Sequence, residues 1–311
     1  MTRCRVRSRY RDGLVLAYEI PVGSAPVSDM VPAATFPVGA HMKLDDHAVA
    51  PDLSRAVYAM PDHVTCIDRT GRRLWQLDFI PAAAPWPIAH SCCAYSLDGM
   101  IVWVFRPDAM ARGAGTDQWL AVDAGTGRVM AQVDLCSAGH GGKHFAHPDG
   151  MHMLLNVGEG QDGSLIYRGR FENGRIELTE YRWPDRVLVA VAPDGRHFMT
   201  VDHDQQDAAF HAYPDGAVVA RVTAESLGHD PDDVFVEWVG GYLGDDTAVV
   251  TVIGETDEEE EWFERYIVDP RTGEVRGQPA PFSAEQYDFE PLGDGSWLTT
   301  ADDHRLQRHT R

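Results

Sequence analysis

Short apolar runs separated by turn residues dominate the chain, and no helical period of 3.6 is sustained over a useful length. The stretch VAVAPDGRHFMTVD at 189–202 shows the pattern: a small-apolar run, a Pro-Asp-Gly turn, then a second apolar run. Nearly the same phrase stands at 48–59 (AVAPDLSRAVYA), 94–104 (AYSLDGMIVWV) and 146–155 (AHPDGMHMLL). The turn has a physical logic. Pro pre-sets φ, Asp bonds its own backbone, and Gly accepts positive φ. The flanking runs have strand length and are rich in Val, Leu, Phe and Trp.

Taking the turn Asp as the anchor gives Asp52, Asp98, Asp149, Asp194, Asp245 and Asp294, about 48 residues apart. Asp98, Asp149, Asp194 and Asp294 are followed by Gly. A second phrase recurs within the unit: Asp68-Arg69-Thr70-Gly71, Asp123-Ala124-Gly125-Thr126-Gly127 and Asp269-Pro270-Arg271-Thr272-Gly273. Each reads as a hairpin closed by Gly. Variants stand at Asn173-Gly174 and Asp215-Gly216. Four strands per unit, repeated, predict an all-β fold, a β-propeller.

The Asp-x-x-Thr-Gly hairpins carry a resemblance to the broad class of WD40-like, YVTN-like and quinoprotein-like propeller repeats, most closely to WD40-like proteins of actinobacterial character. The resemblance covers roughly residues 44–311 and implies architecture, not activity. The Trp-Asp dipeptide of true WD40 repeats is absent. Quinoproteins of this class typically have more blades, so no quinone is carried over and the cofactor is left unknown.

Six anchors predict six blades in one domain spanning 1–311, at 44–80, 88–136, 143–181, 186–223, 233–278 and 285–311. The last unit lacks a fourth strand. Residues 10–17 match 213–220 at five positions. The segment 13–20 is therefore expected to dock beside 305–309 and close the ring, removing an open sheet edge. The strand-like segment 5–10 competes with this arrangement. A seven-bladed propeller with a split closing blade is the alternative. Residues 21–43, with four prolines, read as an irregular connector.

Composition narrows the partners. A formal net charge of −21 disfavours nucleic acid and anionic membrane. No apolar stretch reaches membrane-spanning length, and the basic N-terminal segment lacks a signal-peptide core. The five cysteines are odd in number and contain no CxxC pair, which fits a reducing cytoplasm. A monomer with a small-molecule or protein partner is expected.

Propellers present their innermost strands at one mouth, so the candidates for chemistry are the residues just before each anchor. His47, His90 and His144 are the candidate catalytic set, because imidazole titrates near neutrality. Asp46, Trp86, His140, Lys143, Glu237, Asp288 and Glu290 are the candidate ligand contacts. The residues 139–144 read as a Gly-rich loop that could cradle an anion or simply face water. No close-spaced metal motif is recognised. Cys92, beside His90, reads as an apolar filler or as a nucleophile. The acidic run 256–263 reads as a solvated loop. Two functional readings follow: a ligand- or protein-binding module, or a small-molecule hydrolase or lyase, metal-assisted or not, with its site among these histidines.

Overall fold

The computed structural model describes residues 5–21, 28–84, 89–183, 185–256, 260–278, 283 and 285–310. Its contacts divide the chain into two units, Met1–Val22 with Val31–Arg182 and Gly23–Met30 with Trp183–Arg311.

The first unit begins with β1 (Arg5–Arg11) and β2 (Leu14–Ile20); β3 (Ser28–Asp29) lies on the way to β4 (Ala34–Pro37). The three strands β1-β2-β4 form one sheet. Next come β5 (Asp46–Val49), β6 (Arg55–Met60), β7 (His63–Asp68) and β8 (Arg73–Asp78). Then follow β9 (Cys92–Tyr95), β10 (Ile101–Arg106), the short helix α1 (Asp108–Arg112), β11 (Asp117–Asp123) and β12 (Val129–Leu135). The unit ends with β13 (Gly141–Ala146), β14 (His152–Gly158), β15 (Ser164–Glu172) and β16 (Arg175–Tyr181). Each group of four is an antiparallel meander in chain order. The edge strands β1, β5, β9 and β13 lie against one another in that sequence.

The second unit holds β17 (Arg186–Val191), β18 (His197–Asp202), β19 (Asp207–Ala212) and β20 (Val218–Thr223) as one meander. A second meander comprises β21 (Val234–Gly244), β22 (Thr247–Glu255), β23 (Glu261–Val268) and β24 (Val275–Gly277). The third sheet runs β25 (Glu290–Pro291), β26 (Ser296–Thr300), β27 (Leu306–Thr310) and then β3.

The fold is therefore an all-β propeller with seven blades among the described residues, the alternative with a split closing blade rather than the six blades first expected. Two corrections explain the difference. Leu14–Ile20 does not complete the C-terminal sheet; it pairs with β1 on one side and β4 on the other. The C-terminal sheet takes β3 instead, with Gln307 opposite Asp29 and Arg308 opposite Ser28. The segment 21–43, read as irregular, thus contains two strands. The turn Asp12-Gly13, likened to the outer hairpin at Asp215-Gly216, joins the first two strands of a blade of its own, with φ of 51° and 79°.

The apolar runs follow from burial on both faces of each sheet. In β10, Val102 and Val104 pack with Val57, Cys66 and Trp75 of the preceding sheet. Their alternates Trp103 and Phe105 pack with Met153, Leu155 and Tyr167 of the following one. In the second unit, Met199 and Phe210 pack against Val236, Tyr242 and Val250 in the same manner. No described helix is long and apolar enough to cross a membrane.

Candidate functional site

The first unit brings part of the expected set together on the adjoining strands β5, β9 and β13. Asp45 accepts hydrogen bonds from His90 Nδ1 and from the Ser91 amide, both at 3.0 Å. Asp46 accepts from the amides of Cys93 and His47, both at 2.8 Å. Burial nevertheless pushes the Asp46 carboxyl up to about 6, with Asp45 adding to the rise and Lys143 opposing it. Lys143 is itself exposed, its ammonium 5.2 Å from the Phe145 ring centre.

The three imidazoles do not form one acid–base set. His144 accepts the indole N–H of Trp119 at Nε2, at 3.0 Å, and its Nδ1 lies 3.3 Å from the Cys92 sulfur. Burial pushes its pKa down to about 3. His47 is pushed down to about 4, first by burial and then by Arg9, against a backbone bond at Ser8. Both rings are neutral at pH 7, and His90 is turned to Asp45. Burial raises the thiols of Cys92 and Cys93 far above the usual range, which fits filler and not a thiolate nucleophile. His140 sits just before β13, its carbonyl accepting the His90 amide at 2.8 Å. The Gly-rich segment is a loop only as far as His140, since Gly141 already pairs with Gly158. Trp86 lies outside the described residues, as do Asp257–Glu259 of the acidic run.

In the second unit, Glu237 sits where the β21–β22 register shifts. It is buried, and its carboxylate accepts from the Trp238 amide at 2.6 Å and the Gln286 side chain at 2.9 Å. Asp288 accepts the Thr300 amide at 2.6 Å. Glu290 stands in β25 opposite Leu298. Sequence reading missed Arg265, whose guanidinium lies 4.7 Å from the Phe263 ring and 5.0 Å from that of Phe289. It donates to the carbonyls of Glu285 and Gln286, and burial lowers its pKa to about 10.

A different place in the first unit is concave. A cavity of about 240 Å³ opens between the sheets β9–β12 and β13–β16. Its apolar lining includes Leu97, Trp103, Met151, Met153 and Phe171. Asp98, His152, Arg170 and Glu172 supply polar groups around it, with Arg170 and Glu172 paired at 2.7 Å. Met151 is 53% exposed and Leu97 37%. Both follow from the anchor turns, which leave the residues next to Asp98 and Asp149 outside the strands. The repeat phrases that marked those turns as architecture hid them as surface.

Comparison with known proteins supports the fold. No protein-family profile matches the chain, and no curated protein does. Solved structures do. The β-propeller domain of Cps50 (Swd1) from Myceliophteria thermophila superposes with a TM-score of 0.60 at 12% identity, covering 99% of this chain and 97% of that one. Sqt1 of Chaetomium thermophilum, bound to the N-terminus of the ribosomal protein L10, gives 0.57 at 12% identity, covering 96% and 79%. Hydrazine synthase of Kuenenia stuttgartiensis gives 0.55 at 14%, covering 87% and 78%. At this identity the likeness is one of fold.

Proposed function

We propose that this chain is a binding propeller that takes a short segment of a protein partner in the cleft between β9–β12 and β13–β16. The cavity of about 240 Å³ carries the reading: an apolar floor, charged groups at the rim and exposed Met151 and Leu97 beside it. Such a lining suits one large apolar side chain, with specificity set by a few polar contacts. A net charge of −21 favours a segment with Lys or Arg next to that anchor. Sqt1, similar in fold, is bound to a terminal protein segment. The neutral state of His47 and His144 supports binding over acid–base chemistry at the edge strands. Free Cys66, Cys92, Cys93 and Cys136 support a reducing compartment such as the cytoplasm.

Selection of random peptides displayed on phage, against the full chain, tests this. The reading expects enriched peptides with a large apolar residue beside a basic one, and at least about tenfold weaker binding to Met151→Asp and Leu97→Asp. Peptides that bind these variants as well as the parent would overturn it. So would peptides that lose affinity on Asp46→Asn instead, which would move the site to the edge strands.

A further inference from the structure

At the turn between β13 and β14, two imidazoles converge on one carboxylate. His147 Nδ1 lies 3.0 Å from Asp149 Oδ2, and His152 Nδ1 lies 2.6 Å from the same oxygen. The three ligand atoms all fall within 4.8 Å of one another, the one such group of His, Cys, Asp and Glu among the described residues. His147 is buried, and His152 also lines the cavity.

The turn itself does not need these histidines. Asp52, Asp98, Asp194 and Asp294 each accept the amide of the residue two further on, as Asp149 does from Met151. In those four turns the position before the turn is Ala50, Ser96, Ala192 or Leu292, and the position after it Arg55, Ile101, His197 or Trp297. Only at Asp149, among these five, do imidazoles flank the anchor on both sides. The backbone also divides the carboxylate. Asp149 Oδ1 accepts from the amides of Met151 and His152, at 2.8 and 3.0 Å, and the Asp149 amide donates to His147 Nδ1 at 3.3 Å; Oδ2 faces both rings, and an ion would take the His147 Nδ1 lone pair from that amide. Metal-ligating carboxylates are commonly held by hydrogen bonds in this way.

We propose that His147, Asp149 and His152 bind a divalent transition-metal ion, with zinc as the best match to two imidazoles and one carboxylate. Bond lengths of ~2.0–2.2 Å to such ligands place the donor atoms about 3.3 Å apart in a tetrahedral site. The present separations of 3.0 and 2.6 Å are shorter than that by roughly 0.3 and 0.7 Å, so binding must draw the His152 ring back from the carboxylate. Ligation through Nδ1 requires each neutral ring to carry its proton on Nε2. Two nitrogen ligands disfavour Mg²⁺ and Ca²⁺, which take oxygen. Arg170 stands opposite His152 in the β14–β15 register, and its pairing with Glu172 offsets its charge. Three protein ligands leave coordination open at the edge of the cavity, for water or for a donor on a bound molecule.

Titration of the untagged, metal-stripped chain with Zn²⁺ against a chromophoric chelator, and with Co²⁺ followed by visible absorption, tests the proposal. It requires one ion per chain, an intense tetrahedral Co²⁺ spectrum, and no displacement by excess Mg²⁺. His147→Ala and His152→Ala should each weaken binding at least about tenfold, while His197→Ala leaves it unchanged. Should His147→Ala not fold, the partly exposed His152→Gln carries the same expectation. Absence of saturable binding, or binding indifferent to His152→Ala and His152→Gln, would overturn it, as would loss in His90→Ala instead. No peptide enters the assay, so its result is independent of the cleft reading.

Discussion

The indole N–H of Trp119 donates to Nε2 of His144 at 3.0 Å, and this bond fixes the ring as a neutral acceptor. Protonating Nε2 would set two donors against each other. The His144 pKa, pushed down to about 3 by burial, lies below the ordinary 6.5. A histidine of depressed folded pKa destabilises the fold on acidification, because the unfolded chain takes up the proton first. His144 thus contributes a loss of stability as pH falls from 6.5 toward 3. His144→Leu should cost about 1–3 kcal/mol at pH 7 through the stranded indole donor. It should also flatten the fall in urea midpoint between pH 6.5 and 4. An unchanged slope would show that His144 is not the group responsible.

Asp207 holds two arginines, Arg186 on Oδ1 and Arg221 on Oδ2, each at 2.5 Å. Arg186 is buried and also donates from Nε to Thr200 Oγ1 at 2.7 Å. Thr200 in turn is 2.8 Å from His211 Nε2, whose Nδ1 donates to the Gly216 carbonyl at 3.0 Å. Removing the central charge leaves Arg186 buried and unpaired. Asp207→Asn should destabilise by about 3–5 kcal/mol in chemical denaturation. A cost below about 1 kcal/mol would mean that water reaches Arg186 and replaces the carboxylate.

Two hairpin glycines of nearly equal φ should differ in what they tolerate. Gly127 has φ +73°, and a Cβ there would lie 2.7 Å from the Trp75 ring. That ring is fixed by its own N–H bond to the Ala124 carbonyl at 3.0 Å. Gly174 has φ +75° and no atom within 4 Å of such a Cβ. Gly174→Ala should cost about 1–2 kcal/mol, the backbone term alone. Gly127→Ala should cost at least about 1 kcal/mol more, from displacing Trp75. Equal losses in melting experiments on the two variants would rule out the close approach as the reason for Gly127.

The repeat was legible because its turns are written in side chains that bond their own backbone. Asp98, Asp149, Asp194 and Asp294 all accept the amide two residues on, which is the property read from the sequence. The seventh blade was legible only as an alternative, from the strand-like segment 5–10. Asp12-Gly13 is a tight turn, and a tight turn does not say which pair of strands in a blade it joins. β3 is two residues long and pairs through its backbone, so Ser28 and Asp29 carry no apolar signal. At the edge strands the sequence placed Asp46, His90 and Lys143 near one another, but it could not show that His144 is spoken for by Trp119, since that bond joins residues 25 apart. The His147-x-Asp149-x-x-His152 spacing was in plain view within a phrase already explained as a turn.

The central claim is that the cleft of β9–β12 and β13–β16 holds the partner segment. Its most direct test is methyl NMR of the chain labelled at methionine Cε, titrated with a selected peptide. The account predicts that the methyls of Met151 and Met153, which line the cavity, shift together at stoichiometric peptide, while buried Met199 of the second unit does not. Saturable binding that leaves Met151 and Met153 unmoved would contradict it.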